Sequence, residues 1–95
     1  MAEDKKTVLL EKMADNLPVL RKKLNLTQEG LARMLDVSRS TLANVENRKR
    51  LLSWSTFLSI VLIFTRNSET DEMMRLFGIY TDELNEFLSG NSETA

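Results

Sequence analysis

Cysteine and histidine are both absent from the 95 residues. Without cysteine there are no disulfides and no thiolate metal sites. Without histidine the commonest general base and the commonest metal ligand are missing. An enzyme built on this chain would have to work with carboxylates, lysine or serine alone. Glycine and proline are scarce, at three and one, so turns are few and short. That favours an all-helical domain over a small barrel or sandwich, which needs more turn residues. The longest apolar run, Ile60 to Phe64, is far too short to cross a bilayer. The N-terminal stretch MAEDKKTVLLEKMADNL carries charges on both sides of a short apolar patch, unlike a secretory signal. A cytoplasmic location with no membrane partner is expected.

What remains is 42% hydrophobic and 28% charged, the balance of one globular domain with one modest core. The net charge of −1 hides an asymmetry. Residues 21–50 hold eight cations (Arg21, Lys22, Lys23, Arg33, Arg39, Arg48, Lys49, Arg50) against three anions, whereas residues 51–95 hold two cations against seven anions. A solvated charged face is the bland reading. Clustering within thirty residues favours a local footprint for a polyanion.

Apolar periodicity and capping residues predict five or six helices. Thr7 is a candidate cap for a first helix. Pro18 then predicts either a kink or two abutting helices, with Asn16 capping the second and Leu17, Leu20 and Leu24 on one face. Asn25 suits a left-handed helix end. Thr27 caps QEGLARML, whose expected apolar face is Leu31, Met34 and Leu35, with Ala32 beside them. Asp-Val-Ser makes a short turn. Ser38 caps RSTLANVEN, with Leu42 and Val45 inward. Ser53 caps a helix over 54–64. Ser68 or Thr70 caps the next helix, which Gly78 stops, and Thr81 caps the last. Residues 89–95 read as a flexible tail.

The stretch LTQEGLARMLDVSRSTLANVENRKR, residues 26–50, therefore places two short amphipathic helices back to back across a three-residue turn. That is helix-turn-helix geometry. Ala32 is the small residue where the helices cross, and Asp36 takes the turn position. Val37, Leu42 and Val45 are the anchors. Arg39, Ser40, Thr41 and Asn44 then point outward with the chemistry of base edges: Arg for guanine, Asn for adenine, Ser and Thr for several partners. Asn44 can equally meet phosphate or water. Ser38 is a cap first, at a helix N-terminus that also suits phosphate.

Over residues 16–64 the chain resembles the XRE-like regulators of phage repressor and Cro type. The resemblance implies an all-α, lambda-repressor-like DNA-binding domain of bacterial or phage origin, usually dimeric. It places Gln28 against the DNA backbone, Arg39, Ser40, Thr41 and Asn44 on a recognition helix, and Asn47, Arg48 and Lys49 in a phosphate-touching loop that Arg50 extends. Glu46 falls on an acidic position read as structural. The chain departs from the pattern at Asp36 and Arg48, where glycine is usual, at Leu52 for a common proline, and at Gly30, which costs about 1 kcal/mol relative to Ala in a helix interior.

Helix 54–64 carries more apolar surface than one core needs. Phe57, Ile60, Val61 and Phe64 face the motif, and Trp54, Leu58 and Leu62 form a second stripe. Residues 65–88 supply helices to cover it, within the chain, in a homodimer, or both. The expected function is a regulator, a repressor, that binds an inverted-repeat operator in double-stranded DNA as a dimer, without enzymatic activity or cofactor. The alternative is an antitoxin-like protein-interaction module on the same fold.

Overall fold

The structure, a computed structural model, describes residues 1–90. Most of the expected tail, 91–95, lies outside the described residues. Six helices and no strand occur among the described residues: α1 Glu3–Lys23, α2 Gln28–Leu35, α3 Arg39–Glu46, α4 Trp54–Thr65, α5 Ser68–Leu76 and α6 Asp82–Leu88. Helix α1 packs against α3, α4 and α5, while α2 rests on α3 and α4.

Pro18 does not divide α1. The helix runs unbroken for 21 residues. Proline removes one backbone hydrogen bond and costs about 3 kcal/mol in a helix interior. Against that, Leu10, Met13, Leu17 and Leu20 are all buried, at spacings of three and four that only a continuous helix holds on one face. Each such side chain contributes about 1.5–3 kcal/mol on burial, so packing overrides the local preference. The expected caps are not caps. Ala2 precedes the helix without a side-chain bond, Thr7 donates back to the Glu3 carbonyl, and Asn16 donates to the Lys12 carbonyl from inside the helix.

Scarce glycine is explained by the helix ends. After α1, α2, α3 and α5 the chain turns through one residue at positive φ: Asn25 at 57°, Asp36 at 58°, Arg48 at 63° and Gly78 at 76°. Each stop carries the same two reversed bonds, such as Val37 N to the Ala32 carbonyl and Asp36 N to the Arg33 carbonyl. These are Schellman closures, in which the residue after the left-handed one folds back onto the helix. That residue is Leu26, Val37 or Ile79 in three of them, an apolar plug that packs on the core or within it. After α3 it is Lys49, so the basic loop lacks the plug.

Arg48 thus holds a conformation that costs a side-chain-bearing residue about 1–2 kcal/mol. Arg48→Gly is expected to be about 1 kcal/mol more stable than Arg48→Ala, since both lose the side chain and only glycine relieves the strain. Urea melts of the two variants measure the difference; equal midpoints would refute the strain.

Thr27, Ser38, Ser53 and Thr81 each accept the backbone N–H three residues on, as expected of caps. Helix α5 is capped by neither Ser68 nor Thr70 but by Asn67, whose Oδ1 accepts from Glu69 N and Thr70 N. Thr70 is fully buried, and its hydroxyl donates to the Phe64 carbonyl at 2.6 Å, closing the end of α4. Gly30 sits in the first turn of α2, not its interior, with its N–H on Thr27 Oγ1 at 2.9 Å. Met34, expected inward, is 56% exposed; Leu31 and Ala32 carry the buried face of α2.

The C-terminal helices complete the core of this chain. Met74, Ile79 and Leu84 are buried in the same cluster as Phe57, Ile60, Val61 and Phe64. Trp54 is covered within the chain as well. It stacks on Phe57 at 5.0 Å, meets the edge of Phe87 at 5.9 Å, and lies under the Lys6 ammonium at 5.1 Å.

Candidate nucleic-acid interface

Helices α2 and α3 cross with Leu31, Ala32, Leu42 and Val45 buried between them and the rest of the core. Arg39 opens α3, and Ser40, Ala43, Asn44 and Asn47 follow at intervals that place them on one side. All of these are exposed except Ala43, which is half-buried.

Thr41 does not share that side. Its Oγ1 accepts from Ser38 Oγ at 2.8 Å, its backbone N–H donates to the same oxygen at 3.0 Å, and it lines a groove with Val37, Leu42, Val45 and Leu52. Ser38 is therefore occupied as a cap, with Ser40 Oγ also 3.2 Å away.

A second polar cluster holds the two helices in register. Arg21 presents Nε and Nη2 to the two oxygens of Glu46 at 2.8 and 3.0 Å, and its Nη1 donates to the Leu26 carbonyl at 3.0 Å. Gln28 Nε2 donates to Glu46 Oε1 at 2.9 Å. The Arg21 and Glu46 side chains are only 11% and 5% exposed. Glu46 is structural, as the family resemblance implied, and Arg21 is its partner instead of a free surface cation. The Gln28 amide nitrogen is engaged here, yet Gln28 still lines a shallow groove with Arg21, Thr27, Glu29 and Arg39 at the start of α2 and α3. The first backbone N–H groups of α2 lie at that groove, where an anion is favoured.

Pairing reduces the basic charge available. Lys23 pairs with Glu69, Arg33 with Glu29, and Arg48 with Asp15, in addition to Arg21 with Glu46. Among the described residues, the side chains of Lys22, Arg39, Lys49 and Arg50 have no ion-pair partner, and all four are exposed. Lys49 and Arg50 donate their backbone N–H groups to the Asn44 carbonyl at 2.8 and 3.2 Å, which folds the basic loop against the end of α3.

Residues 20–63 match the family described as helix-turn-helix, across α2, the turn, α3 and nearly all of α4. Over these residues, a little under half of the chain, the match is to the helix-turn-helix of the XRE-like family. The segment is a DNA-binding regulator domain of the lambda-repressor-like, all-α kind. No curated protein and no solved structure matches the chain. Among the described residues, no group of acidic side chains is placed to hold a metal ion, and no helix is long and apolar enough to cross a membrane.

Ala43 shares the outward side of α3 although it has no hydrogen-bonding group, so side-chain chemistry alone does not single it out. The helical period was the signal for it, since Ser40, Ala43, Asn44 and Asn47 fall at i, i+3, i+4 and i+7.

Proposed function

We propose that the protein is a sequence-specific transcriptional repressor that binds an inverted-repeat operator as a homodimer. The observation that carries this is the outward side of α3. It presents Arg39, Ser40, Asn44 and Asn47 together, on a helix fixed by the Ser38 cap at one end and the Arg21–Glu46 pair at the other. Arg39, Ser40 and Asn44 reach base edges; Asn47, Arg48, Lys49, Arg50, Ser38 and the start of α2 at Gln28 meet phosphates. Thr41 supports the Ser38 cap from within α3, at the edge of the outward side. Arg48 exchanges its Asp15 partner for a phosphate when DNA is bound. A compact domain seated in the groove over a promoter excludes polymerase by position alone, and repression needs no further surface.

The second copy docks on the groove between α4 and the C-terminal segment, lined by Leu58, Val61, Leu62, Thr65, Tyr80 and Leu88. Leu62 is 63% exposed and Leu88 44%, an apolar cost that a two-fold contact removes. Residues 65–88 thus complete the core and supply the interface. Such a dimer spaces its recognition helices about 34 Å apart, one turn of DNA.

Selection of bound duplexes from a random pool at moderate salt tests the reading. An enriched inverted repeat is expected; retention of all DNA alike, sensitive only to salt, would refute specific readout and leave the protein-interaction reading in front. Sedimentation tests the pairing. The wild type is expected to be a dimer at micromolar concentration and Leu62→Lys a folded monomer. A wild-type monomer, with and without DNA, would remove the dimer.

A further inference from the structure

The outward side of α3 is polar at every position but one. Ser40, Asn44 and Asn47 surround Ala43, and Arg39 lies one turn before it. Ala43 is the lone apolar group there and the smallest side chain. Of the other methyl-bearing side chains on this helix, Leu42 and Val45 are buried in the core, and Thr41 is bonded to Ser38 and set in the groove of Val37, Leu42 and Val45. We infer that Ala43 is a specificity-determining residue that reads the C5-methyl group of one thymine in each half-site. The inference rests on the proposed function, in which this side of α3 lies in the major groove.

The major groove presents donors and acceptors at every base pair, and its one apolar feature is the thymine methyl. A methyl on the helix placed opposite a donor or acceptor would strip that group of water and return nothing. Opposite a thymine methyl it removes apolar surface on both partners from water. The small side chain also lets the helix backbone approach closely, which the longer Arg39 and Asn44 side chains on either side can span with hydrogen bonds. Readout at this position is thus by shape and hydration, and the donors around it fix the register.

The test is a chemical cycle on the selected operator. One thymine in a half-site is replaced by uracil, which lacks only the methyl, and the substitution is walked across the site. Wild-type protein is expected to lose about fourfold in affinity at one thymine, the worth of one buried methyl group. Ala43→Gly is expected to bind the thymine and uracil duplexes equally at that position. Because each protein is compared with itself on two duplexes, any loss of folded fraction in the glycine variant cancels in the ratio. If a site is enriched but uracil costs the wild type nothing at any position, or Ala43→Gly keeps the whole penalty, the inference is overturned while the proposed function stands. If no sequence is enriched at all, the proposed function fails and the inference fails with it.

Discussion

Glu46→Ala is expected to lower the stability of the fold by about 3–5 kcal/mol, the usual loss when one partner of a buried ion pair is removed. The side chains of Arg21 and Glu46 are 11% and 5% exposed, so solvent does little to screen the charge left behind. Without Glu46 the Arg21 guanidinium retains only its bond to the Leu26 carbonyl, and Gln28 Nε2 loses its acceptor. A domain of this size has about 5–15 kcal/mol in total, so the variant is expected to be marginal or unfolded at growth temperature. The favourable energy of the intact pair is a separate quantity. Replacing both partners by apolar residues of similar volume, as in Arg21→Met with Glu46→Leu, is expected to recover most of the loss because no charge is then stranded. Urea midpoints at unchanged slope measure both variants. A Glu46→Ala loss below about 1 kcal/mol would place this pair with ordinary surface ion pairs and refute its structural role.

The same pair couples stability to the outward side of α3, which the proposed function sets against DNA. Arg21 comes from the end of α1, Gln28 from the start of α2 and Glu46 from the end of α3. Their bonds fix how the N-terminus of one motif helix sits beside the other. Side chains that must match base edges need that geometry before DNA arrives, since ordering them on binding would cost affinity.

How much of this was legible in the sequence follows the range of each interaction. Thr27, Ser38, Ser53 and Thr81 were readable as caps because a hydroxyl and the N–H it accepts lie three residues apart. Asn25, Asp36 and Gly78 were readable as turning points because their own backbone preferences decide the matter. Pro18 misled because its cost is local while the burial of Leu17 and Leu20 that offsets it is not. Asn67 holds the capping role expected of Ser68 or Thr70, because only the packing of α5 on α4 carries Thr70 to the Phe64 carbonyl. Arg21 counted as one of eight cations in a basic segment, and nothing within four residues of it announces a partner 25 positions away. The family of the motif was visible, whereas the closing of the core by α5 and α6 depended on contacts between distant parts of the chain.

Arg39→Ala is expected to cost about 1–3 kcal/mol on the selected operator and to relax the preference at one base position, whereas Lys49→Ala weakens binding to every duplex alike and lowers the salt slope by about one. Both residues are exposed cations without ion-pair partners among the described residues, so charge alone predicts the same behaviour for each. Placement separates them. Arg39 is the first residue of α3, one turn before Ala43 on the side that faces outward, and its planar fork can take two acceptors of one guanine. Lys49 lies beyond the helix, in the loop closed on the Asn44 carbonyl, and its ammonium is a point charge suited to phosphate. Arg39 also borders the groove at the start of α2, with Thr27 and Gln28, where a phosphate would compete for the same guanidinium. Titrations on cognate and scrambled duplexes at several salt concentrations decide between these. If Arg39→Ala loses affinity equally on both and the salt slope falls as it does for Lys49→Ala, then Arg39 is a phosphate contact, and base recognition by α3 falls to Ser40, Ala43 and Asn44.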